Sequence, residues 1–266
     1  MSSPAPKIHV RRMLDPTPEE LTAVLRIMRL AFSRSPFFST VLGGDLAPER
    51  VDAFNRCFVG AALLEGEGEV WVAEVDQTDA PGGREIVGEV VWFVPGSEFL
   101  GNARQREGAW WTEFSALLGE QQAAWFTDYY LPRMDAFWTR CLPTGPSHMQ
   151  SYELSKLAVL PEYSAQGVAS ALVWPVLERA VRAGARVLGE TTSERNVQMY
   201  RRVGARGVGE ESFYPLEALG KEAECEPAFR VWALELTPGQ LEVNDHWTKG
   251  NKRPDELAPE IIRASL

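Results

Sequence analysis

Cysteine and histidine are both scarce, with three of each in 266 residues. Cys57, Cys141 and Cys225 stand far apart and in odd number, which leaves no CxxC pair and no disulfide framework. His9, His148 and His246 have no second His or Cys at ligand spacing, so no metal site is expected. Long apolar runs are missing too. Nothing approaches the ~20 residues of a membrane span. The first twenty residues show no apolar core beside a basic segment, so no signal peptide is read there. Positive charge is in deficit, with 27 Lys+Arg against 37 Asp+Glu and a formal net charge of -10. That argues against nucleic acid as a partner and favours the approach of cationic small molecules. The expectation is a cytoplasmic protein, monomer or homodimer, with no membrane partner.

What is present reads as a globular α/β chain. Residues 1–7 are Ser/Pro-rich and read as a flexible tail. Ile8–Arg12 suits a strand. Thr17 or a neighbour caps a helix whose apolar positions Leu21, Val24, Leu25, Met28 and Phe32 recur at helical spacing. A second helix covers about Pro48–Glu65. Glu69–Val75 and Ile86–Val94 are β-branched strands joined through the turn-rich Asp79–Arg84. An aromatic-rich helical insertion, about 97–145, breaks near Gly119. Ser151–Val159 is a strand, about Gln166–Ala183 a helix that Pro175 should kink, and Arg186–Glu190 a strand. Arg195–Val203 is a short helix, Phe229–Leu236 a final strand, and 238–266 a tail or docked helix. Antiparallel strands followed by a β-α-β crossover predict one domain over 8–237, a mixed central sheet with helices on both faces.

The segment with chemical content runs from Leu157 to Leu172, LAVLPEYSAQGVASAL. Pro161 stops the strand, and a turn of small residues feeds straight into a helix. Such a turn exposes consecutive backbone N–H groups at the positive end of the helix dipole, which suits a pyrophosphate. The same residue types also make an ordinary tight strand-to-helix turn. Further on, Asn196, Met199, Tyr200 and Val203 share one helical face.

Together these segments resemble the GNAT (GCN5-related) N-acetyltransferase family. Its cofactor loop, Q/R-x-x-G-x-G/A, corresponds to Ser164-Ala165-Gln166-Gly167-Val168-Ala169, with Ser at the first position, and continues to Ser170. The family's Asn and Tyr before a Gly turn correspond to Asn196 and Tyr200, followed by Gly204. Within the family the pattern is most like that of the puromycin N-acetyltransferases, through Ala31–Pro36 (AF-x-x-x-P), although the Tyr those enzymes carry before this Pro is Ser35 here. The resemblance implies the GNAT acyl-CoA acyltransferase fold and acetyl-CoA (coenzyme A) as cofactor. The acceptor is then a primary amine of a small molecule, acetylated by direct attack in a ternary complex.

The resemblance also implies roles. Tyr200 would serve as acid for the departing thiolate, and Asn196 would hydrogen-bond the pantetheine or a water. Leu157, Ala158 and Val159 would offer strand backbone to the pantetheine amides. Glu153, at the position of the catalytic glutamate of histone-type members, would act as general base; it alternates with Ser151 and Ser155 on one strand face. Two other readings stay open: an acyl-CoA-binding sensor or scaffold with little turnover, and an acetyltransferase acting on proteins or peptides.

Overall fold

A computed structural model describes residues 7–77, 80–145 and 147–243. Strand β1 (Ile8–Met13) leads to helix α1 (Pro18–Phe32). Thr17 and Glu20 close a capping box there, with Pro18 in the first turn, so the donors at this helix end are satisfied locally. Two further helices follow, α2 (Pro36–Val41) and α3 (Pro48–Leu63). Strands β2 (Gly68–Asp76) and β3 (Arg84–Phe93) form an antiparallel pair.

The insertion holds α4 (Ala103–Gly108), α5 (Trp111–Leu118), α6 (Glu120–Ala124), a π-helical segment over Trp125–Tyr130, and α7 (Leu131–Cys141). The expected break falls at Gly119, which takes φ 81 between α5 and α6. The crossover unit is β4 (Tyr152–Val159), α8 (Val168–Arg182) and β5 (Val187–Thr191). Helix α8 runs through Pro175 as one element. Next come α9 (Glu194–Arg202), β6 (Arg206–Phe213), β7 (Phe229–Leu236) and α10 (Pro238–Val243). Of the region read as a tail or docked helix, 244–266 lies outside the described residues, as do 1–6 of the N-terminal tail.

The seven strands order as β1-β2-β3-β4-β5-β7-β6, with β4 and β5 parallel and every other pair antiparallel. β6 is not among the expected strands. RGVGEESF shows no apolar alternation, because it is an edge strand paired only to β7.

The sheet divides two cores. On one face Val70, Val72, Val91 and Phe93 pack with α3 and the aromatic insertion. On the other, Val90, Trp92 and Tyr152 meet Val168, Leu172, Val173, Val176 and Leu177 of α8, a helical stripe facing the sheet. Gly88 lets α8 approach this closely, since a Cβ there would meet Leu172 Cδ1 and Val168 Cγ1, each at 3.0 Å. This is the mixed α/β GNAT fold, with helices on both faces and a helical insertion. Among the described residues no helix is long and apolar enough to cross a membrane.

Candidate active site

The site begins where two parallel strands part. β4 and β5 pair at Tyr152↔Val187, Glu153↔Leu188 and Leu154↔Gly189, and no further. Beyond that rung, the β5 side of β4 has no strand partner among the described residues. Tyr152 N–H donates toward β5, to Arg186 O at 3.0 Å, whereas Leu160 N–H donates toward β3, to Val87 O at 2.9 Å. Counting back from Leu160 by strand alternation turns the amides of Leu157 and Val159 into the open fork, and that of Ala158 toward β3. The reversal of phase comes from a β-bulge. Trp92 pairs with Leu154 but Val91 with Lys156, which leaves Ser155 as the extra residue.

On the α8 side the fork opens into an apolar cleft of about 260 Å³, lined by Leu157, Ala169, Ser170, Val173, Gly189, Met199, Tyr200 and Val203 among others. Ala169 and Ser170 bring the first turn of α8 into its wall, next to the turn that precedes the helix. Ala165 sits at φ 59 and Gly167 at φ 86, both left-handed, and the helix ladder begins only with Ala171 N–H donating to Gly167 O at 3.0 Å. The amides of Val168, Ala169 and Ser170 therefore precede the first helical bond and stand at the positive end of the dipole. Ser164, Ala165 and Gln166 are exposed on this turn, and Gln166 Nε2 donates to Glu162 O at 2.7 Å. Tyr200 is half-buried, and enclosure by its neighbours pushes its phenol up to about 12. Asn196 is exposed in the first turn of α9, where its N–H meets the capping Ser193 Oγ at 3.4 Å; its side chain is not part of the cleft lining.

The opposite side of β4 faces a second cavity, about 270 Å³, under the insertion. Phe37, Phe58, Phe99, Tyr130 and Trp138 supply aromatic wall, and Glu98, Asp135, Glu153 and Glu190 supply carboxylates beside Lys156 and His148. Leu154 lines both cavities, so they meet at the fork.

Withdrawal from water, reinforced by the charge of Glu190 and opposed by Lys156, pushes the Glu153 carboxyl up to about 8. Burial also raises Glu190, against the hydrogen bond from Trp138 Nε1 to its Oε1 at 2.5 Å. Burial lowers the Lys156 ammonium to about 8, against the pull of Glu190, Glu153 and Glu89. His148 Nε2 lies 3.3 Å from Glu98 Oε2 and 3.5 Å from Asp135 Oδ1, and its contact with Glu98 raises its pKa.

Sequence reasoning singled out Glu153, the strand and turn residues, Asn196 and Tyr200, but not Glu190, Lys156, His148 or Trp138. Glu190 is legible in hindsight through period two: it shares a face of β5 with the buried Leu188. Lys156 is not, because simple alternation sets it opposite Glu153.

Residues 138–205 match the family described as Acetyltransferase (GNAT) family, the stretch from the last turn of α7 through the fork and the turn into α8 to α9. Over that stretch the chain is similar to the GNAT acetyltransferases. Among solved structures it is similar to a mosquito arylalkylamine N-acetyltransferase like 5b, at 17% identity over 86% of this chain and 99% of that one, TM-score 0.49. It is also similar to a histone acetyltransferase HPA2 and related acetyltransferase from Corynebacterium glutamicum, at 18% identity over 85% and 95%, TM-score 0.46. A third is a GNAT family acetyltransferase from Elizabethkingia anophelis with acetyl-CoA bound, at 12% identity over 87% and 98%, TM-score 0.41.

Proposed function

We propose that this protein transfers an acetyl group from acetyl-CoA to a primary amine of a small molecule within a ternary complex. The observation that carries the reading is the pair of cavities meeting at Leu154, one apolar and walled in part by the first turn of a helix, the other aromatic and acidic. The apolar cleft fits coenzyme A: the free amides of Leu157 and Val159 suit the pantetheine amides, and the turn Ser164–Ser170 suits the pyrophosphate. Bound there, the cofactor supplies a thioester whose acetyl group an amine can take. Glu153 Oε receives a proton from the acceptor's ammonium, which frees the nitrogen lone pair. Tyr200 Oη donates a proton toward the sulfur side. Asn196 at the cleft rim is assigned to the cofactor's hydrated edge.

A small acceptor suits a cavity of this size better than a peptide chain, which needs an open groove. The finer likeness to puromycin N-acetyltransferase draws on Ala31–Pro36, which runs from the end of α1 to the start of α2, just ahead of Phe37 in the acceptor cavity. Ser35 in place of that enzyme's Tyr leaves the acceptor's identity open to assay.

Initial rates with both substrates varied test the reading. Intersecting double-reciprocal lines and an acetylated small amine support it. Parallel lines contradict direct attack, and acetyl-CoA binding with no product from any amine favours a sensor or scaffold.

A further inference from the structure

Between Lys7 and Lys221 the chain has one lysine, Lys156; elsewhere in that span positive charge is carried by arginine. This residue lies within the acceptor cavity, on β4 beside the fork. Its Nζ donates to Ser155 O at 3.2 Å and stands 3.7 Å from the centroid of the Phe58 ring, with the Phe37 ring at 5.6 Å. No carboxylate oxygen lies within 4.0 Å of Nζ among the described residues. The ammonium is therefore held by a ring face and one carbonyl, not by an ion pair.

The β-bulge explains why it is there. In an unbroken strand, residues three apart point to opposite faces. The extra residue at Ser155 removes that offset and brings Lys156 into the cavity alongside Glu153. Ionisable groups surround it from every side: Glu153 on β4, Glu190 on β5 and Glu89 on β3 act on its charge. Tyr130, Asp135, Arg106, Glu98 and His148 line the rest of the cavity. Lysine suits this role because a compact ammonium packs over a ring, whereas a guanidinium brings five donors that need partners.

We propose that Lys156 is a positioning residue, an internal cation that the bulge sets in one cavity with Glu153 and Glu190, where its charge favours their ionised form and so their readiness for the acceptor's proton. It acts through space and is not a party to the transfer: the amine N–H bond breaks, its electron pair stays on nitrogen, and the carboxyl O–H bond forms. The proposal rests on the acetyl-transfer reading, and its test separates the two.

The experiment is a carbon-13 titration of glutamate side-chain carboxyls in the full chain, comparing wild type with Lys156→Met, Lys156→Gln and Lys156→Arg. Glu153→Gln and Glu190→Gln assign the signals. In the two neutral variants both carboxyls should titrate about one pH unit or more higher, whereas Lys156→Arg stays near wild type. The acid limb of kcat/KM for the amine should move the same way, with acetyl-CoA affinity unchanged by calorimetry. Carboxyls that titrate as in wild type, in neutral variants that melt normally, overturn the proposal. So does a carboxyl shift with no shift of the rate limb. Should wild type acetylate no amine, the acetyl-transfer reading fails, while the carboxyl titration still decides whether Lys156 sets the charge of its neighbours.

Discussion

Trp138 Nε1, on α7 of the insertion, donates a hydrogen bond to Glu190 Oε1 on β5 at 2.5 Å. One indole thus ties the insertion above the aromatic, acidic cavity to the strand that forms one arm of the fork. It also holds down the pKa of a carboxyl that burial raises. Trp138→Phe keeps most of the packing and removes the donor. The expected outcome is a Glu190 that ionises at higher pH; while neutral it repels the Glu153 charge less, so the acid limb of kcat/KM for the amine moves to lower pH. A pH–rate profile that overlays wild type would show the bond to be structural only.

The proposed role of Glu153 as base predicts a pH dependence. A base must be ionised to accept a proton, and this carboxyl is pushed up to about 8. kcat/KM should therefore climb as pH rises toward about 8 and then level. Glu153→Gln should lose about 10²–10⁴-fold and flatten the limb. A flat wild-type profile between pH 6 and 8 would assign the proton to another group.

Gly167 holds φ 86 at the entrance to α8. Any side chain there is strained by roughly 1–2 kcal/mol and rotates the amides that face the cleft. Gly167→Val is expected to weaken acetyl-CoA binding in calorimetry by at least tenfold while the amine site stays intact. Equal affinity would remove this turn from the cofactor site.

Glu89 is fully buried on β3, and among the described residues neither of its carboxyl oxygens has a hydrogen-bond partner. Burial pushes it up to about 8, so the folded state holds a proton there that the unfolded state releases near the ordinary carboxylate value. The sign follows: between those two values folding binds a proton, and stability falls as pH rises. Glu89→Gln should match wild type in melting temperature at pH 4 and melt higher at pH 8. Parallel melting curves across that range would mean that the carboxyl finds a partner or water.

Most of the fold was legible because its elements carry their own periodicity and punctuation. Thr17 and Glu20 mark a helix start, EVWVAEV and IVGEVVWFV read as strands, and Gly119 marks a break. β6 was not legible, since an edge strand with glycines and acids has no apolar face to declare it. The site was half legible. A turn of small residues and a Tyr on a helix face are local patterns, so Gly167 and Tyr200 could be found from sequence. Lys156 depends on a bulge whose only trace is a change of pairing with β3, and Trp138 meets Glu190 across 52 positions. Alternation grouped Ser151 and Ser155 with Glu153. In the structure Ser151 precedes the strand, its Oγ donating to Ser147 O at 3.2 Å, and the bulge brings Lys156 to the cavity that Glu153 and Ser155 line.

The most direct test of acetyl transfer follows free-thiol release from acetyl-CoA against a panel of amines, wild type beside Tyr200→Phe. The panel spans polyamines, aminonucleosides, amino acids and a lysine peptide. The phenol of Tyr200, pushed up to about 12, remains a proton donor throughout the assay range. The account predicts turnover on at least one small amine, falling by about 10²–10⁴-fold in the variant. Thiol release no faster than without amine, in protein that binds acetyl-CoA, would contradict it.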